Sequence, residues 1–146
     1  MNDELPFAPT FLALTGNEPF PWQRELYSRL LEGDWSRLSA CDIPTGLGKT
    51  AIIPIWLIAL ANRAPFVPRR LVYVVNRRTV VDQATSEAER LREKLQSPQG
   101  DNPTPDVVAS RRHLSEALSS LSALPSSIPL AISTLRGQFA DNREWS

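Results

Sequence analysis

The stretch Cys41-Asp42-Ile43-Pro44-Thr45-Gly46-Leu47-Gly48-Lys49-Thr50 holds the residue types and spacing that could handle phosphate. Gly46 and Gly48 let the backbone turn tightly, so that successive N–H groups can point into one concave nest for phosphate oxygens. Lys49 can reach the β- and γ-phosphates of a nucleotide, and the Thr50 hydroxyl can sit on the accompanying Mg²⁺. A helix opening near Gly48 adds its unpaired N–H groups and the positive end of its dipole to the same place. The general pattern G-x-x-x-x-G-K-[ST] has glycine where this chain has Ile43, so the strict form fails and Pro44-Thr45-Gly46-Leu47-Gly48-Lys49-Thr50 is what remains.

A second candidate lies upstream. Gln23 stands 26 residues before Lys49, just after Phe20-Pro21-Trp22. A glutamine amide donates and accepts at once, which matches the edge of adenine. On a helix, a glutamine is otherwise ordinary solvated surface. His113 has no histidine or cysteine nearby to complete a metal site, and Cys41, the one cysteine, lies in an apolar run suited to a buried thiol.

Elements must position these groups. Residues 1–19 alternate short apolar pieces with Pro6, Pro9, Gly16 and Pro19 and read as an irregular leader. Pro21 suits the first turn of a helix whose face is Trp22, Leu26 and Leu30, ended by Gly33. Residues 38–43 predict a short strand entering the phosphate loop, and residues 49–63 a helix that is apolar nearly all round and interrupted by Pro54. Residues 71–75 (Leu-Val-Tyr-Val-Val) form a continuous β-rich apolar run, as for a strand buried on both faces of a parallel sheet. The turn Asn76-Arg77-Arg78-Thr79 leads into a helix with a stripe of Val80/Val81, Ala84, Ala88, Leu91 and Leu95. A polar loop over 96–105 precedes a helix from Thr104-Pro105-Asp106 to about Leu121, and residues 130–134 predict a third strand. This alternation argues for an α/β fold, with the turns after Ile43, Val75 and Thr134 gathered at the carboxyl ends of parallel strands.

The totals set bounds. With 146 residues the chain is one domain or part of one, and sixteen basic residues cancel sixteen acidic ones, so nucleic-acid binding would need local patches. The acidic start Met1-Asn2-Asp3-Glu4 lacks the basic region of a signal peptide, and no apolar run is long enough to span a bilayer. A cytoplasmic protein without membrane contact is the expectation, and the single cysteine suits a reducing compartment.

Together these stretches resemble the first RecA-like lobe of superfamily 2 DEAD/DEAH-type helicases, a P-loop NTPase fold. More narrowly they resemble the CRISPR-associated helicase of type I (subtype U-like) interference. The resemblance covers residues 20–146 and rests on Pro21-Trp22-Gln23, the phosphate loop, residues 74–83, Ser133-Thr134-Leu135-Arg136-Gly137-Gln138, and the tail 140–145. It implies that Pro44, Thr45, Gly46, Leu47, Gly48, Lys49 and Thr50 bind ATP with Mg²⁺, and that Gln23 reads the adenine. It implies further that Asn76, Arg77, Arg78, Thr134, Arg136 and Gly137 touch the backbone of single-stranded DNA. Guanidinium and exposed N–H groups suit phosphate contacts on independent grounds, although Arg77 and Arg78 could equally be surface charges or pair with Asp82.

The chain departs from that family where hydrolysis is concerned. No apolar run followed by Asp-Glu occurs after Lys49, and no second lobe or histidine-aspartate nuclease domain follows before Ser146. The chain therefore reads as the amino-terminal piece of a longer protein that works with an RNA-guided surveillance complex. The alternative is a truncated, non-catalytic remnant that holds a nucleotide or a partner. A P-loop kinase or GTPase is disfavoured by Pro44-Thr45 and by the upstream Gln23.

Overall fold

The structure, a computed structural model, describes residues 4–33, 48–63, 66–121, 130–136 and 139–141. These form five α-helices: α1 (Phe7–Thr15), α2 (Pro21–Glu32), α3 (Ile52–Arg63), α4 (Arg78–Gln96) and α5 (Pro105–Ser120). A 3-10 turn over Lys49–Ala51 precedes α3. Two short strands, β1 (Thr134–Arg136) and β2 (Phe139–Asp141), pair antiparallel, with Leu135 opposite Ala140.

Helix α3 is the centre of the core. Its residues 53–60 are all buried, with Ile55, Ile58 and Ala59 fully so. A helix apolar on every side must be covered on every side, and α1, α2 and α5 pack against it, while α4 packs on α5. Fully burying one such isoleucine or leucine is worth about 1.5–3 kcal/mol, so α3 supplies a large share of the core's stabilisation. Pro54 occupies the third position of α3, in the first turn, where a backbone N–H has no helical partner. The missing donor therefore costs nothing there, and the residues before it wind as the tighter 3-10 turn.

The expected irregular leader is instead helix α1, and it belongs to the core: Leu5, Phe11, Ala13 and Leu14 are buried. Pro6 is its N-cap and Pro9 lies in its first turn, where neither needs an N–H, and Gly16 closes it at φ 78 with its N–H on the Leu12 carbonyl at 2.8 Å. Its carbonyl end is held by cations from two other helices. Arg111 Nε donates to Ala13 O at 2.9 Å and Lys94 Nζ to Leu14 O at 2.6 Å. Arg111, only 4% exposed, also donates to Pro98 O and to the Asp101 carboxylate. Burial, and then the nearby Arg111, push the Lys94 amine below its ordinary range. At the other end, the Asn62 amide accepts from Leu5 N at 2.8 Å and donates to Leu5 O at 2.9 Å. Asn62 also donates to the Tyr27 hydroxyl at 2.7 Å, and the Tyr27 ring stacks on Phe7 with centroids 4.2 Å apart.

The predicted helix face of α2 is rotated by one residue. Gln23, Tyr27 and Leu30 are buried, whereas Trp22 and Leu26 are half-buried. The expected stripe of α4 is present, with Ala84, Leu91 and Leu95 buried, and α5 turns Arg111, Leu114 and Leu118 inward.

The parallel α/β sheet of a RecA-like P-loop NTPase is not found among the described residues, and the expectation of that fold is corrected to a helical one. Residues 71–75 form no strand and pair with no strand among the described residues, and Val72 and Val74 are 76% and 84% exposed. Residues 130–133 are not a strand either; pairing starts only at Thr134 and is antiparallel. The predicted strand over 38–43 lies outside the described residues. A continuous apolar run suits a strand buried on both faces of a sheet as well as it suits other settings. Here helices cover α3 on all sides and 71–75 lies on the surface.

Candidate functional site

Helix α2 and the end of the phosphate loop meet through one side chain. Gln23 is the third residue of α2, and its Oε1 accepts the N–H of the N-cap residue Phe20 at 2.8 Å. This supplies the side-chain half of a capping box, satisfying an N–H the helix leaves over. The other end of the same amide, Nε2, donates to the Gly48 carbonyl at 3.3 Å. Gln23 is 2% exposed, so the expected solvated or base-facing glutamine is a buried one with both amide ends in use.

Gly48 has two reasons to be glycine. Its φ is +74, in the left-handed region. A Cβ added there would stand 3.0 Å from Gln23 Nε2 and 3.9 Å from Phe20 Cε2, so the Gln23 amide would have to give by a few tenths of an ångström to admit one. Its carbonyl also accepts the Ala51 N–H at 3.0 Å, which opens the helical path immediately after the glycine, as the sequence suggested. Thr50 is half-buried in that first turn. Pro44, Thr45, Gly46 and Leu47 lie outside the described residues, as does the side chain of Lys49.

Phe20 is the neighbour that the sequence reading passed over. Phe20 is 44% exposed, and its ring edge lies beside Gly48 and the Gln23 amide. The available signal was an aromatic residue three positions before the glutamine, at the cap of the same helix.

The residues expected at single-stranded DNA form a second group. Asn76, Arg77 and Arg78 are all exposed at the start of α4, with Arg77 as its N-cap. Thr134 begins β1 and bonds to Thr85 of α4, with the hydroxyl oxygens 3.0 Å apart. The Thr85 hydroxyl gives its proton to Val81 O at 2.9 Å, so Thr134 is the donor. Thr85 lies seven residues along α4 from Arg78, about 10 Å at the helical rise. Thus α4 carries one turn and holds the start of the other, and Thr85 is the coupling residue that the sequence reading missed. Arg136 is in β1, but its side chain, like all of Gly137, lies outside the described residues. With no parallel strands among the described residues, a shared position at strand ends no longer joins these turns to Gly48.

Among the described residues no group of three or more His, Cys, Asp or Glu side chains is placed to hold a metal ion. His113 is exposed on α5. No helix among them is long and apolar enough to cross a membrane. The chain matches no family model, and no curated protein or solved structure is detectably similar to it.

Proposed function

We propose that this chain is the ATP-binding portion of an ATP-dependent DNA helicase or translocase of the type I CRISPR interference kind. In the intact protein it would move along single-stranded DNA beside an RNA-guided surveillance complex. The observation that carries the reading is the Gln23–Gly48 contact, which brings the aromatic-glutamine element against the end of the phosphate loop across 25 residues of chain. The donor set fits a nucleotide polyphosphate: backbone N–H groups at the start of a helical path, the Lys49 ammonium and the Thr50 hydroxyl. A bound Mg²⁺ would supply charge neutralisation between β- and γ-phosphates. Lys49 holds the phosphates, Thr50 orients the ion, and Phe20 offers an apolar face beside Gln23 for a base. Exposed Arg77 and Arg78 suit contacts to a phosphate backbone, which position a strand without reading its sequence.

A second reading, a nucleotide- or partner-binding remnant without catalysis, is favoured by the lack of any Asp-Glu pair after Lys49. Calorimetric titration of Mg²⁺-ATP, paired with a turnover assay, tests both. The chain should bind with a Kd no tighter than about 10 μM, or −7 kcal/mol, and Lys49→Ala should weaken this by about 1.5–3 kcal/mol. Turnover by the chain alone should stay at background. Hydrolysis that survives Lys49→Ala would overturn the assignment of the loop.

A further inference from the structure

We infer that Gln23 is a positioning latch on the phosphate loop, holding Gly48 in place through the loop carbonyl, and that its amide does not read the base. The inference rests on the nucleotide-binding reading for its ligand but on geometry for its mechanism. The amide has one oxygen and one nitrogen. The oxygen serves the Phe20 N–H at 2.8 Å and the nitrogen serves the Gly48 carbonyl at 3.3 Å. At 2% exposure the side chain has no open edge to present to a ligand. Reading adenine needs a donor and an acceptor open on one edge; the second N–H and second lone pair of this amide are buried with the rest of the side chain, so Gln23 would have to leave its place between the helix cap and the loop to offer them.

What the latch holds is a backbone position with few alternatives. Gly48 sits at φ +74, and its carbonyl is shared between Gln23 Nε2 and the Ala51 N–H at 3.0 Å. Turning the Gly48 peptide away would break both bonds together. The N–H groups just past this carbonyl, at the start of the Lys49–Ala51 turn, belong to the set that would face a phosphate. Fixing the carbonyl therefore fixes where those donors point. A loop already ordered also binds without the entropic cost of ordering it.

Two variants separate the contacts. Gln23→Glu keeps an oxygen for the Phe20 N–H but has no N–H for Gly48, so it cuts the latch and spares the cap. Gln23→Ala removes both. In the ligand-free chain, amide hydrogen exchange over residues 48–53 should quicken about threefold to tenfold in both variants, the worth of one hydrogen bond, while amides of α5 keep their rates. In titrations, Mg²⁺-tripolyphosphate, which has no base, is compared with ATP and GTP. Gln23→Ala should weaken all three by a similar factor, about threefold to tenfold, and leave the ATP/GTP ratio where it was.

Unchanged exchange over 48–53 in both variants would overturn the latch. So would an unaltered tripolyphosphate affinity together with a shifted ATP/GTP ratio, which would return Gln23 to the base. Should the wild-type chain bind neither ATP nor tripolyphosphate, the nucleotide reading fails, and the exchange measurement still decides whether Gln23 holds the loop.

Discussion

Two apolar runs in this chain meet opposite fates. Helix α3 has Ile-Ile-Pro-Ile-Trp-Leu-Ile-Ala-Leu, and its residues 53–60 are buried among α1, α2 and α5. Residues 71–75, Leu-Val-Tyr-Val-Val, are as apolar and more β-branched, yet Val72 and Val74 face solvent. The difference is where each backbone finds its hydrogen bonds. A helix closes them within itself and then needs only side-chain neighbours, whereas an extended segment needs another strand alongside. Apolar composition reports a demand for burial, and only the first kind of segment can answer it with local means. The neighbouring Trp56 shows how the two regions touch: its indole N–H donates to Pro68 O at 2.8 Å, so the chain leaving α3 is pinned just before the exposed run.

Truncating both runs sharpens this contrast. Ile58→Ala, in the fully buried run, should lower unfolding stability by about 2–5 kcal/mol in denaturant melts, because it leaves a cavity in the middle of α3. A value under about 1 kcal/mol would mean that α3 is not the core. An intermediate effect should come from the clamp on α1. The Arg111 guanidinium holds the Asp101 carboxyl below its ordinary value of 3.8. A depressed carboxylate contributes stability above 3.8 that is lost as pH falls through the lower folded value. Melting temperature should therefore drop on acidification through that window in the wild type and drop less in Asp101→Asn. Identical acid profiles would show that Asp101 does not support Arg111. The smallest effect belongs to the exposed run, where Val74→Thr should change stability by no more than about 0.5 kcal/mol. A loss as large as that of Ile58→Ala would place Val74 inside an interface and break the comparison.

Much of the helical framework is legible from local signals. Pro21 and Gly33 bound α2, Thr104-Pro105-Asp106 opens α5, and the stripe through Ala84, Leu91 and Leu95 marks α4. Each of these depends on neighbours within a turn or two. The β1–β2 pair was not legible although only two residues separate its strands, because each strand is three residues long and too short to show an alternating pattern. Helix α1 was hidden by Pro6, Pro9 and Gly16, which resemble loop punctuation until each is seen at a helix end. Arg111 carries no motif that singles it out in the sequence. Its spacing with Leu114 and Leu118, three and seven residues on, placed it on the buried face all along. At the site, Gln23 and Gly48 were linked by motif resemblance, yet the burial of the amide and the exposed ring of Phe20 depend on tertiary approach.

The ties on α1 also bear on the order in which the molecule assembles. Its hydrogen bonds to the rest of the chain reach Asn62 from Leu5, Lys94 from Leu14 and Arg111 from Ala13, spans of 57, 80 and 98 residues. Such contacts carry a high loop-closure cost and form late. On a ribosome adding about 5–20 residues per second, α1 would wait roughly 5–20 s between its own synthesis and the arrival of its last anchor on α5. Throughout that interval α1, which carries Phe11 and Leu14, among the most deeply buried side chains of the finished protein, can pack on α3 but lacks the cover of α5. Helix α1 therefore completes its docking only once α5 has been made, and until then part of its apolar face is open to mispairing.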